Sequence, residues 1–195
     1  MDISISVSAL VGLAGVILGA WLTGRNQRIE RRLSFIEKQL KYFYSPMLGL
    51  RNEIKMRSQL RERIQQTADE VWKNLCKEAR RISEERLKRL SEERFPEFAN
   101  LVNYDNRKLQ DELLPAYRQM AKLFCENFWL ADADTRDYYP HLIEFIEIWD
   151  RVLDKSIPGE VLDKLKHSEE KLMPFYRHLQ ERHDELRGKI KEAKA

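Results

Sequence analysis

Ser8, Gly12, Gly15, Gly19, Leu22, Asn26, Ile29, Leu33, Ile36, Leu40, Phe43, Met47, Leu50 and Ile54 lie at alternating spacings of four and three residues. That spacing keeps one narrow face of an α-helix in register over many turns. Residue type along the line changes part-way. Small residues hold the positions from Ser8 to Gly19, and large apolar residues dominate from Ile29 to Ile54. The pattern predicts a helix that meets other helices first in lipid and then in water.

The stretch from Ile3 to Thr23, ISISVSALVGLAGVILGAWLT, carries no charge. A helix of about 20 such residues spans a hydrocarbon core roughly 30 Å thick. A cleaved signal peptide would need a basic leading region and a small-residue cleavage site, and neither is legible here. Arg25, Arg28, Arg31 and Arg32 follow at once. By the positive-inside rule the C-terminal part is expected in the cytoplasm and the N-terminus outside, as in a bacterial inner membrane. Trp21 then falls at the interface. Ser8, Gly12, Gly15 and Gly19 would let two such helices approach closely enough for van der Waals and weak Cα–H contacts to accumulate. The flanking Ile29, Leu33, Ile36 and Leu40 extend that stripe, either against a second copy or against the chain's own helices.

Beyond the anchor, apolar residues keep recurring at three and four, which predicts an all-α fold. The expected organisation is a transmembrane anchor over 1–24, a juxtamembrane helix over 25–45 and a helical domain over 46–195. Ser45-Pro46 reads as a helix start or a kink. A long charged helix is expected from Met47 to Arg94, closed by Phe95-Pro96, with a loop over 99–106. Helices then follow from Arg107 to Leu130 and from Tyr139-Pro140 onward. Asp132 to Asp137 reads as a turn, Ser156-Ile157-Pro158-Gly159 as a break, and Pro174 as the centre of a last helix or pair of helices. Leu113-Leu114-Pro115-Ala116-Tyr117-Arg118 and Leu172-Met173-Pro174-Phe175-Tyr176-Arg177 echo one another, each with an aromatic and an arginine just past a proline.

Composition narrows the function classes. Lys and Arg total 35 against 32 Asp and Glu. That near balance argues against a dedicated nucleic-acid binder, whose binding face carries a basic excess. Cys76 and Cys125 match no metal or redox spacing and read as buried thiols in a reducing compartment. Asp132-Ala133-Asp134 opens like a calcium loop but lacks the glycine and closing glutamate, and His178 and His183 miss the four-residue spacing of two ligands on one helix face. No metal site and no cofactor are expected.

Arg177 and His183 frame an Arg-x5-His run, RHLQERH, on a helical stretch. An arginine can hold a scissile phosphate while a histidine moves the proton of an attacking 2′-hydroxyl, without a metal. The competing reading of the same residues is a solvated charged helix face.

The anchor, the all-α remainder and the late Arg-x-His element together resemble the membrane-anchored HEPN-like accessory protein of type VI-B CRISPR systems. The resemblance implies an oligomeric single-pass inner-membrane effector that forms a pore and acts in antiphage defence. It also implies Arg177 and His183 as the HEPN-like pair, and the lipid bilayer, a second copy of the chain, and RNA or an RNA-guided effector protein as partners. Two alternatives stand beside it: a membrane-tethered HEPN-type ribonuclease, and a non-enzymatic scaffold that recruits a cytoplasmic partner.

Overall fold

The computed structural model describes residues 23–194. The apolar segment, with Ser8, Gly12, Gly15, Gly19 and Trp21, lies outside them except for Thr23. Among the described residues no helix is long and apolar enough to cross a membrane.

Those residues are all-helical, with no strand. α1 occupies residues 23–39 and passes through a π-helical turn, Leu40–Tyr44, into α2, Ser45–Ile82. α3 is Glu84–Lys108, and a second π turn, Leu109–Leu113, leads into α4, Leu114–Glu126. A 3-10 turn at Phe128–Leu130 and the short α5, Ala133–Arg136, connect to α6, Tyr139–Leu153. α7, Gly159–Leu165, and a 3-10 turn at Glu169–Leu172 precede α8, Met173–Lys194.

Pro46 does not break the first helix. A proline inside an α-helix lacks an N–H, and its ring clashes with the carbonyl four residues back. Here the turn before it is widened, so that the Ser45 N–H bonds to the Leu40 carbonyl five residues back. Pro115 is handled in the same way, with the Leu114 N–H bonded to Leu109 O. The chain is therefore helical without interruption from residue 23 to Ile82, a path of roughly 90 Å at 1.5 Å per residue.

The expected helix over Met47–Arg94 ends earlier, at Ile82, because Ser83 adopts an extended backbone. Its Oγ accepts the Arg86 N–H at 3.1 Å and caps α3, whose first turn carries Glu84 and Glu85 on the favourable side of the helix dipole. α3 then runs straight through Pro96 and through the loop expected over 99–106. The reason is packing. α2 and α3 form an antiparallel arm in which Trp72 contacts the rings of Phe95 and Phe98, at 5.9 and 5.0 Å, while Ala79 and Leu90 are buried. An ion pair between Arg57 and Glu112 closes its base.

The main core lies where the start of α2, α4, α6 and α8 meet. Phe124 sits fully buried at its centre, with the rings of Phe43, Tyr139 and Phe175 at 5.1, 5.1 and 5.9 Å. Ile36, Phe43 and Tyr44 belong to this core, so the compact unit begins before residue 46. Leu40 packs against it half-buried, whereas Ile29 stays exposed. Cys125 is exposed and Cys76 half-buried, contrary to the expectation that both are buried. Cys125 lies next in sequence to the fully buried Phe124, and successive helical residues point about 100° apart, which turns it outward.

Phe124→Ala removes the ring on which these aromatic contacts converge. It should lower the unfolding free energy by about 3–5 kcal/mol, read by denaturant titration of the helical circular dichroism signal.

Candidate functional site

α8 carries both members of the predicted pair. Arg177 is exposed and makes no hydrogen bond or ion pair among the described residues. His183 is half-buried, with Nδ1 3.2 Å from a carboxylate oxygen of its neighbour Asp184. The helix between them is unbroken. Six residues on such a helix separate two side chains by about 9 Å along the axis and about 120° around it. A single copy therefore does not bring Arg177 and His183 together on one phosphate. His141, which begins the α6 surface after Pro140, is exposed as well.

The structure builds its polar centre elsewhere, around Asp132. Gln39, only 3% exposed at the end of α1, donates to Leu130 O at 2.8 Å and to the Asp132 carboxylate at 3.3 Å. Tyr44, in the π turn, donates its hydroxyl to the other carboxylate oxygen at 2.8 Å and lies 3.0 Å from the Thr135 hydroxyl. Thr135, fully buried, continues the chain to His178 Nε2 on α8 at 2.8 Å. Arg182, one turn further on, pairs with the same carboxylate and with Glu185. The His178 ring packs on Tyr138 at 5.3 Å.

Burial works against a charge on Asp132. Hydrogen bonds from Arg182, Tyr44 and Gln39 and the charge of Arg182 outweigh it and hold the carboxyl below its ordinary value. Hydrogen bonding to Asp132 raises the Arg182 guanidinium further above its own. Tyr44 is raised chiefly by burial, so its phenol stays a donor. Each of these side chains is bonded to at least one other member of the centre. It joins three segments: the end of α1 with its π turn, the α5 connector, and α8. Its chemistry is that of a lock on how α1 sits against the bundle.

Sequence reading places Asp132 at the opening of a turn. It does stand at the start of α5, but its side chain makes no cap bond and turns to Tyr44 and Arg182 instead. The one available signal was composition. Gln39, Tyr44 and His178 are polar residues on otherwise apolar faces, and such residues are retained when they find partners. Of the predicted contact stripe, Ile36 and Leu40 are taken up by the chain's own core, Leu33 is half-buried and Ile29 is open.

Comparison with models of known protein families, with curated proteins and with solved structures finds no match to this chain.

Asp132→Asn keeps the shape of the side chain but removes the charge that Arg182 and Tyr44 address. It should cost about 1.5–3 kcal/mol of stability near neutral pH. Because the carboxyl is held below its ordinary value, its stabilisation is complete above that value, about pH 4, and is lost as pH falls through the lowered one. The stability gap between the wild type and Asp132→Asn should therefore shrink on acidification below about pH 4, followed by denaturant titration at each pH. A gap that stays constant down to pH 2 would show that the carboxylate contributes nothing through its charge.

Proposed function

We propose that this chain is an oligomeric single-pass membrane effector, in which apolar anchors associate and a cytoplasmic all-helical domain is held rigidly to them. The observation that carries the reading is the uninterrupted helix from residue 23 to Ile82. Among the described residues it runs from Thr23, the last residue of the uncharged Ile3–Thr23 segment, and crosses Pro46 without a break. A flexible tether would let the domain turn freely against its anchor. A continuous helix with its domain packed on it transmits tilt and rotation between the two. The Asp132 centre reinforces this, because it fixes α1 to α5 and α8 through hydrogen bonds from Gln39 and Tyr44.

Contact between copies then belongs mainly to the small-residue line Ser8, Gly12, Gly15 and Gly19. From Ile36 onward the same helix face is filled by the chain's own core. Whether the assembled anchors conduct depends on copy number, since Ser4, Ser6, Ser8 and Thr23 are the only hydroxyls that this segment offers to a wet lumen.

The scaffold reading has one specific observation behind it. The α2–α3 arm bears exposed apolar side chains, among them Met56, Val71 and Ile82, on a strongly charged surface. Such a surface fits a partner-docking element. Ribonuclease chemistry would require a second copy to supply the group that one copy cannot.

Gly15→Ile combined with Gly19→Ile should reduce the mass of the full-length protein in detergent from a multiple to a monomer. The helical signal and thermal melt of the domain should stay unchanged. An unchanged multiple overturns the role given to the anchor stripe.

A further inference from the structure

We propose that the outer half of the α2–α3 arm is a binding surface for single-stranded nucleic acid. A groove of about 450 Å³ runs along α2 there, lined by Trp72, Lys73, Cys76, Lys77, Arg80 and Arg81. Four of these six residues are cations, and no carboxylate is among them. All four cations are exposed, and none makes a hydrogen bond or ion pair among the described residues. Nearer the base of the arm the arginines are paired: Arg51 with Glu169, and Arg57 with Glu53 and Glu112.

Lys73, Lys77 and Arg81 follow one another at steps of four, so about 6 Å of helix separates each from the next. Like charges at that spacing repel, whereas a helix stabilised by its own pairs alternates their sign. Glu70 and Glu78, the carboxylates of α2 nearest in sequence, do not line the groove. The charge is also local. The whole chain carries a formal +3, yet residues 73–89 alone hold seven Lys or Arg against three Glu. The near balance of the full sequence therefore conceals a basic face of the kind that binds polyanions.

Aromatic rings select among polyanions. Trp72 stands in the groove wall, with its ring 5.9 Å from that of Phe95 and 5.0 Å from that of Phe98. Phe95 is 56% exposed, so a flat apolar ring is open beside the cations. Surfaces that hold single strands without reading their sequence pair a basic groove for the backbone with rings on which bases stack. An acidic peptide or inorganic polyphosphate meets the cations equally but brings no base to stack on Phe95. Binding here requires neither the anchor nor Arg177 and His183, which stand on α8.

Fluorescence anisotropy on the full-length protein in detergent tests this with a labelled thymidylate dodecamer. Oligoglutamate and inorganic polyphosphate of equal charge serve as competitors. The dodecamer should bind saturably, and each competitor should displace it roughly tenfold less effectively than unlabelled dodecamer does. Lys73→Gln, Lys77→Gln and Arg81→Gln together should weaken binding roughly tenfold or more, with the helical circular dichroism signal intact. They should also flatten the slope of log affinity against log salt by about 0.7 for each cation removed. Arg28→Gln, Arg31→Gln and Arg32→Gln remove the same charge from α1, and should leave the affinity within about twofold at physiological salt. Phe95→Ala should weaken the dodecamer about tenfold and leave polyphosphate unchanged. The proposal is overturned if the dodecamer does not saturate, if either competitor matches it, or if the groove variant binds no more weakly than the α1 variant. It is overturned equally if Phe95→Ala weakens both polyanions alike or neither.

Discussion

A proline in the middle of the longest helix is the constraint on which the rest of this fold depends. Pro46 removes one N–H and crowds one carbonyl, and an ordinary α-helix would answer by bending or stopping. The widened turn Leu40–Tyr44 absorbs the defect by inserting a residue into the hydrogen-bond ladder. That has a second effect. Phe43 and Tyr44 are sequence neighbours, yet both are fully buried. Phe43 meets Phe124 in the apolar core, while Tyr44 reaches Asp132 in the polar centre. The turn that keeps the helix continuous is also the turn that supplies both of its anchoring side chains.

The Asp132 centre and the cavity at Arg61 lie on the same helical path and solve opposite problems. Around Asp132 the polar groups satisfy one another, which makes the contact between α1, α5 and α8 specific in geometry as well as favourable. At Arg61 one polar atom, the Nε, has no hydrogen-bond partner among the described residues. Arg51 joins the two regions in a concrete way. It lies one turn beyond Met47, is paired with Glu169 and stacked on Tyr176, and so sets the wall of the cavity from the helix that leads back to α1.

Some features were open to sequence reasoning because their cause is local. Tyr139-Pro140 starts α6, and Ser156 to Gly159 separates α6 from α7, since proline and glycine constrain the backbone wherever they occur. Other features misled for an equally physical reason. The charged stretch from Met47 to Arg94 reads as one helix. Ser83 divides it, because reversal there lays Trp72 on Phe95 and Phe98. Pro96 looked like a terminus and is an interior residue, held in α3 by the same arm packing.

The sequence by itself determined the all-helical class, the uncharged segment followed by arginines, and the apolar stripe that runs on from it. These follow from periodicity and from residue type, which need no partner to be read. Tertiary structure alone decided which surface the stripe's watery half would cover, and it gave Ile36 and Leu40 to the chain's own bundle. It also decided where the polar chemistry sits. Arg177 and His183, close in sequence, are turned apart by the pitch of one helix. Gln39, Tyr44, Asp132, Thr135, His178 and Arg182 come together across the chain because the folding of the helices, and not sequence spacing, brings their faces into contact.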